Sequence, residues 1–103
     1  MKFIIIETTY PDLKSAKNLA EILLAEKLAA CIQFIKIESS YSWQDKIIND
    51  KEILLTIKTT EKLYKKIEKI IVKNHKYKTP QILSFEIKNG YEPYLEWISS
   101  NTK

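Results

Sequence analysis

His75 is the one imidazole in this 103-residue chain and Cys31 the one thiol. These are the side chains that bind transition metals, relay protons or act as nucleophiles. His75 follows the expected end of a helix, where the partial negative charge of the terminus favours a cation. As a metal ligand it lacks company. A closed zinc site takes about four nitrogen or sulfur donors, and the chain supplies one of each. His75 is therefore the single candidate metal ligand, weighed against a hydrogen-bonding structural role that its isolation favours. Cys31 follows Leu28-Ala29-Ala30 and reads as a small core residue, with a soft copper(I) ligand as the minority alternative.

A second set is aromatic. Tyr41, Trp43, Lys58, Tyr77 and Trp97 lie on, or next to, segments that would border another chain. Aromatic residues are enriched at interfaces; the same rings could wall a cleft in which Lys58 attracts a small anionic ligand. The interface ranks first, and one surface can serve both purposes. Asp45, Asp50 and Glu52 offer oxygen donors to a hard cation such as Mg²⁺ or Ca²⁺, and they explain the solubility of a hairpin equally well. Serine or cysteine nucleophiles need a positioned base, and the lone histidine pairs with neither from sequence. A non-enzymatic protein is expected.

Composition removes further classes. Gly90 is the only glycine, so no glycine-rich phosphate loop can be written. All 17 basic residues are lysine, which excludes the rigid bidentate clamp that arginine makes on phosphate or carboxylate. Lys62, Lys65, Lys66, Lys69, Lys73, Lys76 and Lys78 crowd one helix and its exit, but Glu61 and Glu68 interrupt them. The central strands lack the stacking aromatics of an RNA-recognition domain. A solvated face is expected, with no nucleic-acid partner. No apolar run approaches the ~18 residues of a spanning helix, and one unpaired cysteine suits a reducing compartment. A cytoplasmic protein without a membrane partner follows.

The elements that must position these residues are legible in the apolar spacing. Residues 2–9 read as a buried strand, stopped by Pro11-Asp12. Leu13, Ala16, Leu19, Ala20, Leu23 and Leu24 then keep helical spacing to about Glu26. From Cys31 a long ribbon alternates through Ile35, Ile37, Tyr41 and Trp43, and Gln44 to Lys51 reads as its polar connection to a return strand at Ile53, Leu55 and Ile57. Thr60 is suited to cap a helix with the stripe Leu63, Ile67, Ile70 and Ile71. A fourth strand is expected over Gln81–Lys88, a turn at Asn89-Gly90, and a last helix from Tyr94 to about Ser100 with Pro93 near its start. The order β-α-β-β-α-β plus a terminal helix predicts a single α+β domain over residues 1–103. It is the ferredoxin-like split βαβ, an antiparallel sheet with two helices on one face. Strands two and three are longer than the ~5–6 residues usual for strands. Open edges of that length invite pairing with another copy.

These blocks resemble the CutA family of divalent-cation tolerance proteins. The likeness runs through Thr9-Tyr10-Pro11-Asp12, Ala25-Glu26-Lys27-Leu28-Ala29-Ala30-Cys31, Ser40-Tyr41-Ser42-Trp43 and Ile57-Lys58-Thr59. It continues through Asn74-His75-Lys76-Tyr77-Lys78-Thr79-Pro80-Gln81-Ile82 and Tyr94-Leu95-Glu96-Trp97-Ile98. The resemblance implies a homotrimer whose hairpins join neighbouring sheets edge to edge, a role in copper and other divalent-cation tolerance, and no enzymatic reaction. It implies Cu²⁺ held weakly or indirectly, with His75 as the ligand candidate. The trimer is similar in shape to the PII nitrogen-regulatory proteins, which gives a small-molecule sensor in the inter-subunit clefts as one alternative and a trimeric scaffold as another. The chain departs from the family at Lys76, where a proline is usual, at Gln81, where an acid is common, and at Asp45, where a glycine is common. In the bacterial member best tied to copper the ligands are a cysteine and two adjacent histidines. The corresponding positions are Thr8, Asn74 and His75, so one of three is retained.

Overall fold

The structure is a computed structural model describing residues 1–103. Its elements run β1 (Phe3–Tyr10), α1 (Leu13–Ala25), β2 (Cys31–Trp43), β3 (Lys46–Thr60), a 3₁₀ turn (Glu61–Leu63), α2 (Tyr64–Asn74), β4 (Ile82–Glu86) and α3 (Glu92–Ser100). The strands form one antiparallel sheet in the order β2-β3-β1-β4. This is the predicted α+β architecture.

Helix α1 starts where its sequence provides a cap. Asp12 is extended, and its carboxylate accepts the Ser15 N–H at 2.8 Å. That bond, with one from the Ser15 hydroxyl, holds the Asp12 carboxyl below its ordinary range. Ala16, Leu19, Ala20 and Leu23 form the buried stripe. The helix stops at Lys27, whose φ of 57° is left-handed. The Leu28 N–H then reaches back to the Leu23 carbonyl at 2.9 Å, closing the last turn without a glycine.

The alternating register sorts the sheet into two faces. Ile4, Ile6, Tyr10, Ile53, Leu55 and Ile57 face α1 and α2 and pack with Leu19, Leu23, Leu63, Ile67 and Ile71. The opposite face carries Ile5, Leu54, Ile35, Leu83 and Phe85. Helix α3 packs against β3 and buries Ile98, while Ile35, Leu83 and Phe85 stay about half exposed. Cys31 belongs to this second face. It is half-buried and outside the core, contrary to the core position expected for it, because the register turns it away from α1 and α2.

Three local expectations are corrected. The polar stretch 44–51 is not a loop: β3 begins at Lys46, and only Gln44 and Asp45 turn, with φ of 51° and 63°. Two successive left-handed residues are the conformation that joins twisted antiparallel strands most tightly. Polar pairs such as the Ser40 hydroxyl on the Asn49 side-chain oxygen, at 2.6 Å, replace the apolar alternation there. Thr60 makes no side-chain cap; its hydroxyl is buried without a partner, and the 3₁₀ turn leads into α2 instead. The fourth strand is shorter than expected, and Gly90 does not use a left-handed φ. It is needed for space, because a Cβ there would sit 2.8 Å from Leu95 Cδ2. No helix is long and apolar enough to cross a membrane.

Candidate functional site

His75 lies one residue beyond α2, its N–H bonded to the Ile71 carbonyl at 2.9 Å. The extended backbone there swings the ring between two tyrosines. It stacks on Tyr10 at 4.1 Å between centroids and tilts against Tyr77 at 4.6 Å. Nε2 is 2.6 Å from the Thr9 carbonyl oxygen, and Nδ1 is 3.1 Å from the Tyr77 backbone nitrogen. A carbonyl only accepts and a backbone N–H only donates, so Nε2 carries the proton and Nδ1 supplies its lone pair to Tyr77. Both nitrogens of a neutral imidazole are occupied. Burial pushes the neighbouring Tyr10 hydroxyl up to about 12, and that hydroxyl donates to the Asn74 side chain at 3.0 Å.

These residues do not fit a resident metal ion. The chain brings no three His, Cys, Asp or Glu side chains together as ligands. Of the three positions that the resemblance offered as metal ligands, Thr8 is wholly buried, Asn74 is bonded to Tyr10, and His75 has no free lone pair. The hairpin carboxylates form no hard-cation site either. Asp45 stands at the tip, while the Tyr41 hydroxyl donates to Asp50 and the Tyr77 hydroxyl donates to Glu52 at 3.0 Å.

The five aromatic and lysine candidates divide into two groups. Tyr41 and Tyr77 lie toward the turn end of the hairpin with Asp50 and Glu52, and Trp43 is at its tip. Desolvation first, and then the bond to Glu52, raise the Tyr77 hydroxyl well above its ordinary range; the bond to Asp50 raises Tyr41. Lys58 belongs to the other group. Its Nζ lies 5.4 Å from the Tyr94 ring centroid, and Tyr94 stacks on Trp97 at 5.6 Å. Glu52 and Lys58 point to the same face of β3, but at about 3.3 Å per residue they stand roughly 20 Å apart. One chain therefore holds two half-sites and no closed cleft. Tyr94 was missed by the sequence reading, although its spacing of three from Trp97 on a helix places the rings side by side. The widest concavity, about 500 Å³, belongs to neither group; it lies at the start of α1 beside Tyr10, Lys14, Asn74 and Lys76. The lysines of α2 and its exit are solvent-exposed as expected.

A fold of this topology hosts many functions, and likeness to known proteins narrows them. The family model of the CutA1 divalent ion tolerance protein matches residues 4–101. The chain belongs to the CutA family. It is 37% identical over 101 residues to the chloroplastic protein CutA of Arabidopsis thaliana, covering 97% of this chain and 56% of that protein. It is 36% identical over 100 residues to the divalent-cation tolerance protein CutA of Pyrococcus horikoshii, covering 97% and 98%. The crystal structure of CutA1 from Oryza sativa superposes with a TM-score of 0.96 at 38% identity, covering 100% of this chain and 95% of that one. The chain thus spans little more than half the length of the plant CutA proteins it matches and nearly all of the archaeal one.

Proposed function

We propose that this CutA-family chain assembles as a homotrimer and serves tolerance to divalent cations, copper foremost, without catalysing a reaction. The observation that carries the assembly is the sheet face away from α1 and α2. Ile35, Leu83 and Phe85 are 52%, 50% and 49% exposed there, on the two strands with open edges. Apolar residues beside unpaired strand edges are the features that proteins cover by pairing with another chain. The link to metal is then weak or indirect, since His75 is bonded at both nitrogens. One unpaired thiol agrees with a reducing compartment, and we assign the cytoplasm.

Light scattering at micromolar concentration is expected to give three times the chain mass; a lone, stably folded monomer would sink the trimer. Calorimetric titration with Cu²⁺ and Zn²⁺ is expected to give the same weak heats for the wild type and His75→Ala. Binding that disappears in the variant would restore His75 as a ligand.

A second reading makes the trimer a small-molecule sensor. What favours it is Lys58, a half-buried ammonium with no carboxylate within 4.0 Å. A thermal-shift panel of nucleotides and dicarboxylates tests it, and a flat response counts against it.

A further inference from the structure

Among 13 acidic residues Glu52 is the only buried one, at 8% exposure, and among 17 lysines Lys58 is the only half-buried one, the rest being exposed. Neither has an ionic partner. The one salt bridge in the chain joins Lys65 to Glu68 on α2. The Glu52 carboxylate is held by a neutral donor alone, the Tyr77 hydroxyl at 3.0 Å, and the Lys58 ammonium by the Tyr94 ring. Glu52 keeps only 8% of its surface exposed and has no cation beside it, a combination that becomes costly once this face is covered by another copy.

It cannot be found within the chain. Glu52 and Lys58 share one strand and one face, with Leu54 and Thr56 between them, and the roughly 20 Å of extended strand exceeds the reach of both side chains. The same face carries the exposed apolar residues Ile35, Leu83 and Phe85. Along β3 this face carries Asp50 and Glu52 toward the hairpin turn, Leu54 and Thr56 between, and Lys58 at the other end, with Lys46 beside the turn and Glu7 of β1 opposite Thr56. A surface with opposite charges at its two ends is satisfied head to tail, and a head-to-tail contact closes into a ring when the rotation permits.

We propose that Glu52 of one copy pairs with Lys58 of the next, joining the Tyr41–Tyr77 half-site to the Tyr94–Trp97 half-site at each subunit boundary. The inference rests on the trimer proposed above. It occupies Lys58, which is then not free for an anionic ligand. The competing partner for Lys58 is Glu7, half-buried on β1 and diagonally across from it, although not within 4.0 Å.

The test is a double-mutant cycle on the full chain, read by light scattering and by the thermal midpoint at one fixed protein concentration. Glu52→Gln and Lys58→Met are each expected to lower the midpoint by several degrees, and the double variant to lose little more than either. The charge reversals Glu52→Lys and Lys58→Glu should each reduce the trimer fraction, and the double reversal should recover at least half of the loss. A trimeric wild type with additive losses and no recovery overturns the ion pair while leaving the trimer standing. So does coupling of Lys58 to Glu7, measured with Glu7→Gln, in place of Glu52. A monomeric wild type overturns the ion pair and the trimer together.

Discussion

Replacing His75 with alanine distinguishes a bonded histidine from a free metal ligand. The substitution deletes the Nε2–H bond to the Thr9 carbonyl, the Nδ1 acceptor for the Tyr77 N–H, and the ring contacts to Tyr10 and Tyr77. Each hydrogen bond is worth about 1 kcal/mol net, and a stacked pair about 0.5–1.5 kcal/mol beyond its burial. The ring is only half-buried, so water can reach the stranded carbonyl and amide and offset part of the loss. The expected destabilisation is about 3 kcal/mol. For a domain of this size that lowers the thermal midpoint by on the order of 15 °C. Denaturant unfolding of wild type and variant at equal protein concentration measures it, since a coupled assembly makes stability concentration-dependent. Nitrogen-15 spectroscopy of the wild type should show the neutral ring as the Nε2–H tautomer. A loss below about 1 kcal/mol, outside the range for removing two hydrogen bonds and a stack, would refute the reasoning, and more so if it came with the opposite tautomer.

Changing Gln44-Asp45 to Asn-Gly relieves two left-handed residues at the hairpin tip. Because each such conformation costs an ordinary residue roughly 1–2 kcal/mol, unfolding should show a gain of about 1–2 kcal/mol. Tyr41→Lys with Trp43→Lys is expected to yield monomer or aggregate by light scattering, and an intact trimer would show that these rings are not interface anchors. At high pH the sign follows from Tyr10, whose folded pKa is raised from 10.0 to about 12 by burial. Its contribution to stability is fully present below pH 10 and is lost as pH rises toward about 12. Alkaline unfolding followed by tyrosinate absorbance should show that loss, and Tyr10→Phe should remove its share of the pH dependence.

Local pattern determined much of this protein. The Asp12 cap, the Ala16–Leu19–Ala20–Leu23 stripe, the alternation of Ile53, Leu55 and Ile57, and the order of elements follow from residues a few positions apart. The family likeness was legible for the same reason, in short blocks held at fixed spacing. The hairpin turn was not, because Gln44-Asp45 carries neither the glycine nor the asparagine that usually marks left-handed residues. The register of a long polar ribbon is decided by cross-strand pairing. Only the tertiary structure decided what His75 does, since its carbonyl partner lies 66 residues away. It also decided which carboxylate is buried, that Cys31 faces away from the core, and that the aromatic candidates fall into two groups. Those outcomes depend on which groups the folded backbone brings within a few ångströms, and residue type and spacing along the chain carry no record of that.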